Sequence, residues 1–491
     1  MVVMGVVIRG KMLPKPNSCK GCPFYGDGMG FVPDEIRDNA KVFIYAQNPG
    51  KDEEAGRKLV RYDYKEPVYE KVPPAPLLGK TGYSMEREYF PVAGLERKDV
   101  SLGNVFRCRH NYTDYLPPLG RPEVQQAMKH CHQAHFKLPR EVKLIVAQGE
   151  YSLFALTQEG LAKERNISSW RGYVLPFQPI VAPKTEPTQI YTPSQELIDR
   201  PVLAVNHLSM LFRSPSGVIL AKSDWAKIPR ILAGKWPQKP PEILRQAPNS
   251  WPAEFAFDTE FVPETGYMIR YSMANKPFGT NKILVRVVER DNTTFGPYSI
   301  EPPVVFNRPR LITQNALADI SFFQDISGLA REGFDLEDIM HIHAVLWAGL
   351  PHDLNTFGSL YSSINRWKHL EYINPIVYSG MDAHGTLEAF WRMREELLRD
   401  PKSHQVYHSI QLKLVDVISR SASFRGMKVN QAKAIQYMNH YKAIVDDLYL
   451  KAQAVTGWPI NVSSNDMTKQ QLYEVEKIQD LAFPKYKRGK I

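Results

Sequence analysis

The sequence predicts an α/β protein built from more than one domain, and three observations predict it. Short apolar runs that read as strands (Lys41–Ala46, Lys143–Ala147, Val202–Val205) alternate with helical stretches across residues 1–232. A proline-rich stretch, Trp236–Trp251, disfavours regular structure and places a boundary. Beyond it, a second series of strand and helix patterns starts near Phe255 and gives way to a largely helical end. At 491 residues the chain is too long for a single core. The expected organisation is a domain over 1–235, a linker over 236–251, a second domain over 252–400 and a helical segment over 401–491.

Composition excludes some classes and suggests others. The hydrophobic fraction of 43% and charged fraction of 23% are ordinary for soluble globular proteins. A formal charge of +10 suits a polyanionic partner. No apolar run approaches the roughly 20 residues that span a membrane. The start, MVVMGVVIRGKMLPK, lacks a basic leader and a cleavage site, so it is not read as a signal peptide and a cytoplasmic location is expected. The basic end, Lys485–Lys490, reads as a solvated tail.

Three segments of the second domain carry chemistry. In FAFDTEF (255–261), Asp258 and Glu260 lie two apart in a buried strand pattern, so alternation puts both carboxylates on one face. Asp319 follows a predicted strand at Arg310–Thr313 and opens a helical pattern through Ile320, Phe323 and Ile326. Tyr378 and Asp382 lie four apart where an amphipathic helix begins, which brings a phenol and a carboxylate together. Four carboxylates are what two divalent cations about 3.5–4 Å apart require when they hydrolyse a phosphodiester. A phenol beside them can orient the attacking water.

In order and local spacing these segments resemble the proofreading exonucleases of the DEDD superfamily, Tyr-containing branch, as found in bacterial DNA polymerase I. QNALAD (314–319) resembles the second exonuclease motif and Y-x-x-x-D (378–382) the third. The resemblance implies a ribonuclease H-like domain, two Mg²⁺ or Mn²⁺ ions held by Asp258, Glu260, Asp319 and Asp382, and removal of nucleotides from a single-stranded 3′ end of DNA. Asn315 and the basic, aromatic-rich stretch Tyr361, Arg366, Trp367, Lys368 and Tyr372 are candidates for holding the substrate strand.

All four cysteines lie in the first quarter: Cys19 and Cys22 as C-K-G-C, then Cys108 and Cys131. Four thiolates, one pair preformed by a glycine-containing turn, fit a structural zinc or a 4Fe–4S cluster equally on spacing. The surrounding series VFIYAQNPGKDEEAG (42–56), PLLGKTG (76–82), GNVFRCR (103–109), KLIVAQG (143–149), WRG (170–172) and NHLSMLFR (206–213) resembles the iron–sulfur uracil-DNA glycosylases over nearly all of 15–215. That resemblance implies a three-layer α/β/α domain with a 4Fe–4S cluster on the four cysteines. It also places Gln47 and Asn48 at the water-activating segment, Asn104 at the base-reading position and His207 at the catalytic histidine. The chain departs from the family here: Gln47 stands where an acid is common, Leu77 lies near the position of the stacking aromatic, and H-L-S replaces H-P-S. Neutral Gln47 cannot serve as a carboxylate base, so both an active glycosylase and a degenerate DNA-binding module remain open.

The last ninety residues resemble the opening of a family A polymerase domain at LVDVISRSASFRGMKVNQ (414–431) and INVSSNDMTKQQLYEV (460–475). The palm and fingers motifs D-Y-S-x-I-E, R-x₃-K-x₆-Y-G and H-D-E are absent from the sequence. The expectation is an exonuclease subunit or fragment of a phage-like family A polymerase that meets primer-template DNA. Whether the palm and fingers belong to a separate chain or are lost stays open, and the residues given are not expected to polymerise DNA alone. The readings set against it are a DNA- or polymerase-binding accessory module with little chemistry of its own, and an active uracil-DNA glycosylase.

Overall fold

The computed structural model describes residues 13–476, apart from 27–29, 64–65, 111–115, 162–165, 181–183, 186–188, 191–199, 213–215, 263–266, 290–307, 330–332, 419–427, 462, 465–466 and 469. The basic tail and the first twelve residues lie outside these, as does half of the polymerase-like segment at 414–431, residues 419–427. The chain divides into two compact units, Met1–Ser423 and Phe424–Ile491.

The first unit contains two α/β sheets. The first is formed by β1 (Val42–Ala46), β2 (Val100–Asn104), β3 (Leu144–Gln148), β4 (Val174–Pro176) and β5 (Pro201–Val205), in the order β2-β1-β3-β5-β4. All neighbours are parallel except β4, which runs against β5. Every residue of β1, β2 and β3 is buried, as expected where helices cover both faces of a parallel sheet and the strands read as continuous apolar runs. Helix α1 (Pro122–His135) and the helices Glu150–Thr157 and Gly217–Trp225 belong to this layered α/β/α domain.

The second sheet is built from β6 (Ile243–Leu244), β7 (Glu254–Val262), β8 (Tyr267–Asn275), β9 (Leu284–Glu289), β10 (Arg310–Thr313) and β11 (Asp335–Asp338). Their order is β6-β9-β8-β7-β10-β11, and only β8 runs against its neighbours. This is a ribonuclease H-like arrangement with β6 added at one edge. Helices α2 (Ala316–Ser327), α3 (Ile339–Leu346), α4 (Leu354–Tyr361) and the long α5 (Pro375–Arg399) accompany it. The close approach of α5 to the sheet depends on Gly380. A Cβ there would meet Ile243 Cδ1 at 3.0 Å and the Val285 and Val287 methyls at 3.1 Å. Ser272 on β8 also donates to the Ser379 carbonyl at 2.8 Å and pins the helix.

The proline-rich stretch is packed into the structure. Trp236 and Trp251 are buried, β6 pairs with β9, and the Gln238 N–H donates to the Ser363 carbonyl at 2.8 Å. A wide polar joint also ties the two sheets' domains together. Arg171 binds Asp224 through two nitrogens at 2.5 and 3.0 Å and reaches Ser359 Oγ at 2.8 Å. Asn365 bonds Val174 in both directions, and Tyr173 Oη donates to the Asn355 carbonyl at 2.8 Å. Gly172 (φ +75°) is where the chain squeezes through: a Cβ would lie 2.3 Å from Asp224 Oδ1 and 2.6 Å from Ser359 Oγ.

Past α5 the chain is helical over 401–418, but Ile410, Leu414 and Val417 are exposed, although their apolar character predicted a packed face. In the second unit, α6 (Gln431–Thr456) starts at Asn430, whose side chain accepts from the Lys433 N–H, and ends at Gly457 in the left-handed conformation. No α6 residue is buried. No helix among the described residues is long and apolar enough to cross a membrane.

Candidate metal centre and its neighbours

β7 places Asp258 and Glu260 on one face, and α5 brings Asp382 to meet them. One ligand oxygen from each of the three lies within 4.8 Å of the others. Burial pushes the Asp258 carboxyl well above its usual range, and repulsion from Asp382, Asp319 and Glu260 adds to it. Glu260 and Asp382 shift the same way, chiefly through burial. Asp258 Oδ2 is buried with no hydrogen-bond partner among the described residues. Three converging carboxylates and an orphaned buried oxygen among oxygen-only donors suit a hard divalent cation.

Asp319 stands apart from this trio and is gripped by Thr259, the residue between the two strand carboxylates. The Thr259 N–H and hydroxyl donate to Asp319 Oδ1 at 3.0 and 2.6 Å. Burial nevertheless lifts the Asp319 carboxyl to about 8, against the lowering effect of both Thr259 bonds. Asp338 holds the start of α2 in place by accepting from the Ala316 N–H at 2.7 Å, and it also accepts from the Met340 N–H at 2.9 Å. Asn315 adopts φ +81° at that helix start, and its side chain makes no hydrogen bond among the described residues.

Tyr378 and Asp382 share one face of α5, and Trp367 with the single helical turn Lys368–Leu370 explains how they are held. Trp367 Nε1 donates to Asp382 Oδ1 at 2.5 Å, and Lys368 Nζ donates to Asp382 Oδ2 and Oδ1 at 2.9 and 3.2 Å. Lys368 also donates to the Tyr378 hydroxyl, and its ammonium lies 4.1 Å from the centre of the Tyr378 ring. Of the stretch proposed to hold substrate, Trp367 is therefore core, buried against Gly358 and Gly385. Tyr361 is turned toward Glu396, and the Arg366 guanidinium stacks over Trp170 at 4.6 Å. Lys368 and Trp367 both reach the Asp382 carboxylate, and Tyr372 is exposed. Sequence reasoning missed Thr259, Trp367 and Asp338 as supports. The position of Thr259 between two metal-type carboxylates was the one signal that could have pointed to any of them.

In the N-terminal domain, Cys19 and Cys22 sit on a tight turn with Gly21 at φ +87°, Cys108 follows β2, and Cys131 lies on α1. All four line one pocket with Phe24, Phe31 and Phe106. Burial, with the neighbouring cysteines adding to it, pushes the Cys108 thiol to about 12 and Cys19 to about 11. A zinc bound at about 2.3 Å would draw the sulfurs to about 3.8 Å of one another. Among the described residues no three of the thiols come within 4.8 Å of one another.

The remaining glycosylase-like residues gather at the carboxyl ends of the first sheet, where ligands bind in open α/β folds. Gln47 and Asn48 follow β1, Asn104 ends β2 in register with Ala46, and His207 follows β5. Asn48 Nδ2 is turned back onto the Pro49 carbonyl at 3.1 Å. Asn104 is buried with Nδ2 unpartnered. Burial lowers His207 to about 4, and its Nδ1 lies 2.7 Å from Ser209 Oγ. Leu77 is buried at φ +57°, a conformation that bulky residues rarely adopt.

Comparison with known proteins finds no matching family model and no matching curated protein. Among solved structures, NrnC of Brucella melitensis with bound Mg²⁺ aligns at 12% identity with a TM-score of 0.29, covering 38% of this chain and 95% of that one.

Proposed function

We propose that this chain is a two-metal 3′→5′ DNA exonuclease of the proofreading kind, a subunit or fragment of a family A DNA polymerase. One observation carries the reading: Asp258, Glu260 and Asp382 converge within 4.8 Å beside the Tyr378 phenol. Asp258, Glu260, Asp382 and Asp319 would hold Mg²⁺ or Mn²⁺, which when bound supplies charge for the transition state and lowers the pKa of water. The protein's own part is placement. Lys368 donates to the Tyr378 oxygen, the phenol in turn donates to Asp382, and Trp367 holds Asp382 from behind, so that the phenol is fixed beside the carboxylates. The test is Mg²⁺- or Mn²⁺-dependent digestion of 3′-labelled single-stranded DNA. Full activity in Asp258→Ala would sink the reading.

The N-terminal domain is proposed as the holder of a 4Fe–4S cluster on Cys19, Cys22, Cys108 and Cys131. Its glycosylase-like pocket has a neutral Gln47 and a buried neutral His207, which favours DNA binding over excision. Absence of an alkali-labile break in uracil-containing DNA at high enzyme excess is the expected result. A second reading, an accessory module that clamps a polymerase chain, is favoured by the exposed apolar side chains of α6, among them Met438, Tyr441, Val445 and Leu448. Co-purification with a chain bearing the palm motifs would support it.

A further inference from the structure

A groove of about 1250 Å³, whose lining includes none of the nuclease carboxylates, runs between residues 227–244, the β8–β9 hairpin and the second half of α5. Its wall carries seven Lys and Arg side chains against four glutamates. Most of the glutamates are already engaged. Glu388 accepts from Ser362 and from Ser363, Glu396 accepts from Trp347 Nε1 at 3.0 Å, and Glu395 pairs with Arg399. Only Glu242 is uncommitted among the described residues. By contrast Arg230, Lys239, Lys276, Lys282 and Arg392 are exposed and form no ion pair among the described residues. Five cations sharing one concavity without partners repel one another, and a polyanion relieves that repulsion.

A second feature lies at the mouth of the groove. The hairpin Lys276-Pro277-Phe278-Gly279-Thr280-Asn281-Lys282 turns at Gly279 (φ +76°) and holds Phe278 fully in solvent. Folding gains nothing from that ring as it stands, whereas covering it would remove apolar surface from water. Two lysines flank it, and both line the groove. A bare aromatic face between cations matches the pairing of base stacking and phosphate attraction found in single-strand binding.

We propose that this groove and hairpin form a second binding site for single-stranded nucleic acid, distinct from the metal centre. Phosphates would lie along Arg230, Lys239, Lys276, Lys282 and Arg392, with a base stacked on Phe278. The site does not depend on the exonuclease reading, because binding is read without cleavage. The experiment uses the full chain carrying Asp258→Ala, in EDTA, with fluorescein-labelled oligothymidylate followed by anisotropy over a range of NaCl concentrations. Replacing Lys239, Lys276 and Lys282 together by Gln is expected to reduce the slope of log affinity against log salt by roughly 2, at about 0.7 for each phosphate left without its cation. Phe278→Ala is expected to weaken binding roughly fivefold or more at fixed salt with the slope unchanged. All four side chains are exposed, so melting temperatures should match the parent and separate binding from folding. The proposal is overturned if the triple variant keeps the parent's affinity and slope, or if polyglutamate competes as well as the oligonucleotide.

Discussion

Lys368 Nζ donates to both carboxylate oxygens of Asp382, at 2.9 and 3.2 Å, from a helical turn fourteen residues earlier in the chain. The ammonium thus sits beside the one carboxylate that α5 contributes to the metal centre. Lys368→Met removes a cation that competes for Asp382 and releases the Tyr378 phenol. Mg²⁺ affinity measured by calorimetry should rise while cleavage of 3′-labelled DNA falls about 10–100-fold, the usual cost of removing a group that orients a metal ligand. Unchanged Mg²⁺ affinity would place Lys368 outside the metal's influence.

Thr259→Val deletes the hydroxyl donor to Asp319 and keeps the main-chain donor. A buried carboxylate deprived of one of two donors costs about 1–3 kcal/mol. Denaturant unfolding should show that loss, and cleavage should slow by about tenfold or more.

Gly385→Ala tests the route from core packing to the site. The added Cβ would lie 2.5 Å from Trp367 Cη2, so the indole must move and its Nε1 must leave Asp382. Overpacking of this kind costs about 1–3 kcal/mol. Melting temperature and Mg²⁺ affinity should fall together. A variant that melts early yet binds Mg²⁺ normally would uncouple Trp367 from the centre.

The metal-free protein should lose stability as pH rises. Asp319 titrates near 8 in the folded state against an ordinary 3.8, and Asp258 is raised as well. The folded state therefore keeps protons that the unfolded chain has released, so the contribution of Asp319 is complete below about 3.8 and lost as pH rises through about 8. Thermal melts in EDTA across that window should show the decline. Mg²⁺ should reverse it at the alkaline end, and Asp319→Asn should flatten it.

Anaerobically purified protein should contain iron and acid-labile sulfide in equal amounts and absorb broadly in the visible. Cys108→Ser and Cys131→Ser should each abolish the absorption. Stoichiometric zinc with no sulfide would replace the cluster by a structural zinc.

Much of the candidate centre was legible because it rests on local periodicity. Residues two apart in a strand and four apart in a helix share a face wherever the element lies, so Asp258 with Glu260 and Tyr378 with Asp382 followed from spacing. The strand at Arg310–Thr313 and the three N-terminal strands were legible for the same reason, and they lie within one residue of their expected ends. The proline-rich stretch was harder to read. Proline content signals a break in regular structure, but it does not say whether Trp236 and Trp251 will find a core to enter.

The sequence by itself determined the inventory: four carboxylates, a phenol and four thiols, with the short-range spacing that sets which of them can act together. Tertiary structure alone decided that Asp319 answers to Thr259 and that Lys368 and Trp367 reach Asp382. Each of these is set by the order of strands in a sheet and the seating of one helix upon it. Gly380 and Gly385 govern that seating by what they omit, and no short-range pattern records which side chain will fill the space.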